Sequence, residues 1–452
     1  MFALNSGQEF IVNKAVDWFY NSNDLVFQYD GPPGSGKSVV LNEIVKRLRL
    51  DIITEIAPMS FIGAASLVMR TKGLITAKTA HSWIYEVIEI PKKDPDGNIL
   101  RDPLYGTILT TVKFRPRKSL PKSIKLIVID EAYCMPANMR PEIEKFGVKI
   151  LACGDQNQLP PVMDKPAFLA DGKVYHLTEI MRQQGLEDIV FIAHRAMLQL
   201  PLLNGYYGNS MVIDYEDITD GMLLWADVVI CCKNATRDYF NDRIRKLKGF
   251  YGDLPNRGER IVCRSNNWLE EAPDINGNSV NLVNGLIGTV INSPDVAGYN
   301  KKTRTFEVIF EPDLTQGVVF NTVGNYDYIT SPYDMRNQIK ENRYTQGNLF
   351  EYAYAITCHV SQGSQFHRVI YIEERMKGDI QSSLNLVGPT RADQQLIYVK
   401  PEPFDWRKYN QEKQERAAKI EEQKKLMANT TSEYKKQQQI KSKYKNIIYK
   451  GN

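Results

Sequence analysis

The sequence predicts an α/β protein of two parallel-sheet domains with small β insertions and a polar tail. Three observations predict it. Short β-branched runs alternate with helical periodicity through residues 1–180. One run, 124–129, is apolar almost throughout, as a strand covered on both faces of a parallel sheet must be. A second set of such runs, at 228–232, 369–372 and 396–399, follows a stretch of different composition.

In chain order, 25–29 is a short apolar run that ends at a glycine-rich turn. Val40, Leu41, Ile44, Val45 and Leu48 then recur at helical spacing. Further strands are expected at 52–57, 124–129 and 148–152. Residues 91–122, rich in Pro, Lys, Asp and Thr, contain the turn signal Asp94-Pro95-Asp96-Gly97 and read as a β insertion. Residues 1–180 thus form a first domain. A second domain takes 181–251 and 351–402, split by 252–350. That inserted stretch carries many Gly, Asn, Pro and β-branched residues and reads as a small β-barrel of SH3-like type. Residues 403–452 are Lys- and Gln-rich and read either as a solvated helix or as a disordered tail.

Charge separates the tail from the body. The chain carries 57 Lys and Arg against 53 Asp and Glu, a net +4. Residues 403–452 hold 13 of the basic and 6 of the acidic residues, a surplus of +7, which leaves the body at −3. Any anionic partner must therefore be held by local patches, and the tail is a separate electrostatic element, either a basic arm or a solubilising end. No apolar run approaches the ~20 residues that span a bilayer. No basic-then-apolar leader is read at the N-terminus. The six cysteines form no C-x-x-C pair, and four lie in strand-like runs, which predicts buried free thiols and a reducing, cytoplasmic setting.

Gly31, Pro32, Pro33, Gly34, Ser35, Gly36, Lys37 and Ser38 match G-x-x-x-x-G-K-[ST] in full, between an expected strand and an expected helix. Backbone N–H groups of such a loop cradle phosphate oxygens. Lys37 pairs with the β- and γ-phosphates of ATP, and the Ser38 hydroxyl ligates Mg²⁺. The run Ile127-Val128-Ile129-Asp130-Glu131 supplies the partner. Asp130 at a strand end can hold Mg²⁺, and Glu131 can take a proton from an attacking water. These two motifs alone specify a phosphate-loop ATPase.

Further motifs narrow the class. Gly154-Asp155-Gln156-Asn157-Gln158-Leu159-Pro160-Pro161 resembles motif III of the superfamily 1B DNA helicases, the RecD-like and phage Dda-type group. The others follow in that family's order. Asn5-Ser6-Gly7-Gln8 resembles its adenine-reading motif, Ala57-Pro58-Met59-Ser60 its motif Ia with Met for the usual Thr, and Thr79-Ala80-His81-Ser82 its motif Ib. Leu177 to Gln183 resembles motif IV, Tyr354 to Ser364 motif V, and Gly388-Pro389-Thr390-Arg391-Ala392 motif VI.

The resemblance implies two RecA-like phosphate-loop domains that close on ATP and Mg²⁺. It makes Gln8 an adenine reader, Gln158 a γ-phosphate sensor, Arg182 and Arg391 arginine fingers, and Gly363 part of the nucleotide site. It implies single-strand contacts from Pro58, Thr79 and His81 in the first domain, and from Thr357, His359 and Ser361 in the second. Trp83, Tyr85 and Phe114 serve either core packing or base stacking. The implied function is an ATP-dependent DNA helicase, 5′→3′, acting as a monomer on single-stranded DNA and single-strand/duplex junctions. Replication or recombination proteins are its expected partners, in a bacterial or phage-infected cell. A translocase that does not unwind, and an RNA helicase, stay open as alternatives.

Overall fold

The computed structural model describes residues 4–401, apart from 95, 102–105, 162–163, 180–186, 276, 293–298, 302, 316, 342–345 and 377–379. Residues 1–401 form one compact unit. The tail and Arg182 lie outside the described residues. Among the described residues no helix is long and apolar enough to cross a membrane.

The first sheet is parallel throughout. Its order is Lys78–Thr79, Ile56–Ser60, Leu126–Asp130, Lys149–Gly154, Val26–Asp30, Val174–His176. Two apolar layers cover it. Ile11, Trp18, Val40, Ile44 and Leu48 pack on one face, and Ile84, Met139, Ile143 and Phe168 on the other. Burial on both sides explains the near-continuous apolar run 124–129. The strand expected at 52–57 runs instead at Ile56–Ser60. Asp51 is the reason. Its carboxylate accepts from the backbone N–H of Ile53 and Thr54, and its carbonyl from Glu55 N–H, so 51–55 is spent in a turn.

The second sheet is ordered Ala355–Thr357, Val228–Cys231, Phe366–Ile372, Ala392–Val399, Ser210–Ile213, Gly205–Tyr207, with only the last pair antiparallel. Its core contains Leu159, contributed by the loop that leaves the first sheet.

Between the halves of the second sheet the chain builds an antiparallel array. Thr305–Pro312 pairs with Phe320–Asn325 and with Ile287–Val290, which pairs with Arg260–Cys263, which pairs with Phe350–Tyr352. Backbone bonds from Asn348 to Val323 and from Asn325 to Asn348 return the last strand to the first, closing the ring. Phe306, Phe310, Phe320 and Phe350 fill its centre, joined by Leu67 from the first domain's helix Gly63–Thr71. A Cβ on Gly63 would come within 2.8 Å of Val283 Cβ, so a glycine lets helix and barrel touch.

A hairpin of Tyr85–Pro91 and Thr110–Pro116 projects from the first domain. It begins six residues before the composition change at Pro91, because Tyr85, Val87 and Ile90 follow directly on the short helix Ala80–Ile84. All six cysteines are buried free thiols.

Candidate nucleotide and nucleic-acid sites

The phosphate loop leaves strand Val26–Asp30 and ends at helix Lys37–Leu48. Gly34 and Gly36 have φ of 84° and 83°, a region an L side chain resists. A Cβ on Gly31 would sit 2.4 Å from Ser35 Oγ, so that glycine is required by crowding. Lys37 Nζ donates to the carbonyls of Gly31 at 2.7 Å and Pro32 at 3.3 Å. The ammonium thus lies across the loop it is expected to serve. Ser38 Oγ accepts from Lys72 Nζ at 3.0 Å.

Gln8 is buried, and both ends of its amide are engaged. Nε2 donates to Ser35 O at 3.0 Å, and Oε1 accepts from Asn5 N–H at 3.1 Å in a capping box on helix Ser6–Asn21. It is therefore a strut between the first helix and the phosphate loop. Asn5 Nδ2 donates to Glu179 at the rim beside it.

The acids stand at the ends of neighbouring strands. Asp130 Oδ1 accepts from Glu131 N–H at 3.0 Å and from the Cys153 thiol. Glu131 has φ 51°, an uncommon conformation for a non-glycine residue, which turns the chain sharply after the strand. Burial and the Asp130 carboxylate push the Glu131 pKa above the usual carboxylate value, against Lys37 and Arg391, which pull it down. Asp155 joins this cluster. It is almost fully buried, its Oδ1 accepts from Asn157 N–H, and its Oδ2 has no protein partner. Burial raises its pKa as well, with Lys37 opposing. Its acid was visible in the motif III run, yet sequence reading gave it no role.

Arg391 arrives from the second domain, on the turn Pro389–Arg391 before strand Ala392–Val399. It is 7% exposed, and its Nε donates to Val387 O at 3.0 Å. Burial draws its pKa down, while Glu131 and Asp155 are the nearest acids holding it up. The unusual Gly388-Pro389 approach has a steric basis: a Cβ on Gly388 would lie 2.2 Å from the Tyr371 ring. Gln158 is buried next to Leu159, whose side chain sits in the second domain's core. Gly363, at φ 81°, packs against Ala65 of the first domain, where a Cβ would come to 3.0 Å. Gln362 reaches Cys134 across the same seam. Lys37, Asp155 and Arg391 thus lie within electrostatic reach of Glu131, where the two sheets meet.

Among the described residues no group of three or more His, Cys, Asp and Glu can cage a metal. Mg²⁺ suits a different donor set, one or two protein oxygens with phosphate and water oxygens. Asp130 and Ser38 fit that set, once Ser38 exchanges its lysine partner.

The residues expected on a nucleic-acid track divide by exposure. Pro58 is buried, and its carbonyl accepts from Trp83 Nε1 at 2.8 Å, which makes Trp83 an anchor of that segment. Met59 is fully buried in the core. Thr79 caps helix Ala80–Ile84 and bonds Ser82. Ser361 is fully buried with its hydroxyl on Cys358 O. Thr357 is buried at the start of the turn Cys358–Ser361. His81 and His359 are half-buried, and burial lowers both pKa values, with Arg264 adding to the effect on His359. Both are neutral hydrogen-bonding groups at pH 7. His81 stacks on Tyr85, Tyr85 meets Phe114 edge-on, and Phe114 meets Trp268 of the barrel at 6.3 Å. Phe114 is 40% exposed on the hairpin.

Residues 3–196 match the family model described as an AAA domain. The "ATP-dependent DNA helicase RRM3" of Saccharomyces cerevisiae is 25% identical over 339 residues, covering 64% of this chain and 42% of that protein. An uncharacterized protein of Methanocaldococcus jannaschii is 24% identical over 444 residues, 82% of this chain and 36% of its own. An uncharacterized protein of Acanthamoeba polyphaga mimivirus is 23% identical over 296 residues, 54% of this chain and 56% of its own. The chain therefore spans between about a third and just over half of these relatives. Among solved structures, a Bacteroides Pif1 bound to ssDNA is similar with TM-score 0.48 and 17% identity, covering 93% of this chain and 98% of that one. A Pif1 helicase from Candida albicans gives TM-score 0.44 and 17% identity, covering 88% and 95%.

Proposed function

We infer from the ordered motifs, the AAA-domain match and the yeast helicase relative that the chain is a superfamily 1B helicase of the Pif1/RecD-like kind, and propose that it couples ATP hydrolysis to movement along single-stranded DNA. One observation supports this most. Arg391 of the second domain donates to Val387 O of its own turn and lies within electrostatic reach of Glu131 and Asp155 of the first, as Lys37 does. A hydrolytic site completed from both domains makes ATP turnover depend on their relative position.

In this reading the β- and γ-phosphates replace the loop carbonyls as partners of Lys37. Arg391 turns from the acids to the γ-phosphate, where a planar, permanent charge fits the transferring oxygens. Glu131 accepts the proton of the attacking water. Ser38 and Asp130 would hold Mg²⁺, which would supply charge neutralisation at the phosphates. Gln158 contacts the γ-phosphate, and the buried Leu159 beside it passes that contact into the second domain's core. The single strand lies across His81 in one domain and His359 in the other. Both are neutral donors, suited to phosphate contact without sequence reading. The 5′→3′ direction follows the family resemblance.

The test is Arg391→Ala. It should keep binding of a fluorescent ATP analogue and lower kcat by about a thousandfold. Turnover within a few-fold of the parent protein would remove Arg391 from the site and with it the two-domain mechanism.

A further inference from the structure

A groove of about 1770 Å³ runs between the hairpin and the barrel. Lys92, Lys93 and Phe114 line one wall, and Arg264 and Trp268 the other, with His81 at its inner end. Arg264 is the one arginine among these lining residues. It follows strand Arg260–Cys263 and belongs to a cluster built on Glu351.

Three guanidinium groups converge on one buried carboxylate in that cluster. Glu351 is buried in the barrel's last strand and takes three guanidinium partners. Arg237 Nη1 lies at 2.8 Å, Arg264 Nε at 3.2 Å and Arg336 Nη1 at 3.4 Å. Asp238 is the second acid, paired with Arg237 and Arg336. The neighbouring Glu270 keeps its charge, since its partners are neutral amides, so three cations face three anions. Burial alone would raise the Glu351 pKa, and the guanidinium charges, Arg264 foremost, bring it below the usual value.

One of the three cations reaches the groove. Arg237 is 3% exposed at its side chain and Arg336 11%, whereas Arg264 is 25% exposed and faces the groove. Its Nε, though within ion-pair distance of Glu351, makes no hydrogen bond of good geometry. The neighbouring acid Glu270 is bonded to the amides of Asn267 and Asn348. Arg264 also stands close enough to His359 to depress its protonation, which ties it to the second domain's expected strand contact.

We propose that Arg264 is a phosphate clamp: the Glu351 cluster holds this guanidinium at the groove wall, where it meets one phosphodiester of a single strand passing between His359 and His81. Glu351 holds the stem of the guanidinium in place and leaves its outer edge for the phosphate. This inference rests on the single-strand reading above.

The test measures binding of labelled oligo-dT by fluorescence anisotropy over a salt series, using the full chain. Arg264→Gln should weaken binding roughly tenfold. It should also lower the slope of log Kd against log salt by about 0.7, the value of one phosphate contact on a single strand. Arg264→Lys should keep the parent slope. Parent affinity and slope in Arg264→Gln would overturn the clamp while the parent protein still bound DNA. Equal loss of slope in both variants would also overturn it, by showing that the residue acts through packing around Glu351. A parent chain that failed to bind oligo-dT would remove the single-strand reading itself.

Discussion

At the scale of single residues the cleft is governed by burial of charge. Glu131 sits beside Asp130, and its pKa is raised by burial and by that neighbour. As a proton acceptor it must be ionised, so kcat should fall as the medium is acidified. Stability carries the opposite sign. The folded state binds this proton more tightly than the unfolded chain, so the group favours folding at low pH and opposes it as pH rises through the raised value. Glu131→Gln should therefore abolish hydrolysis yet melt higher than the parent at neutral pH, with the gap closing as the medium is acidified. A variant that melts lower at neutral pH would contradict this account of the site. Most of these residues were legible in the sequence, because phosphate binding fixes glycine, lysine and acid at set spacings. Asp155 stood in the 154–161 run but was given no role there, and Arg264 was not seen at all. A lone arginine carries no spacing signal, and its role depends on what the fold packs around it.

At the scale of elements, alternating β-branched runs marked the strands well where both faces are covered, as at Leu126–Asp130. They failed where side-chain bonds compete with the ladder, as Asp51 does at 51–55. The hairpin was half visible. Its turn signal was read, but its first strand, Tyr85–Pro91, lies ahead of the expected insertion at 91–122. That hairpin carries the exposed Phe114 toward Trp268, which suits it to splitting a duplex. Replacing 92–109 by a short turn keeps the ladder from Tyr85–Pro116 to Pro91–Thr110. DNA-stimulated ATPase should survive this change, and strand displacement on a forked substrate should be lost. Equal loss of both would show that the hairpin supports the motor core.

At the scale of the whole molecule, Leu159 joins the two sheets. It neighbours Gln158 in the loop leaving the first sheet and is fully buried in the second domain's core. Leu159→Ala should cost about 2–5 kcal/mol of packing at that joint. The ratio of DNA-stimulated to DNA-free ATPase should fall toward one; an unchanged ratio would mean that the coupling runs elsewhere. The presence of a second, largely parallel sheet was legible because a second set of apolar runs follows the first. The seam itself, formed by Gly363 on Ala65 and Gln362 on Cys134, joins residues far apart in the chain that no local pattern links.

The central claim is that ATP turnover in this cleft is coupled to a single strand held across both domains. Steady-state ATPase with Mg²⁺, measured with and without single-stranded DNA and RNA beside Lys37→Ala, addresses it most directly. The account predicts strong stimulation by single-stranded DNA and no activity in the Lys37→Ala variant. Hydrolysis indifferent to both nucleic acids would contradict it and leave a phosphate-loop ATPase with no motor function.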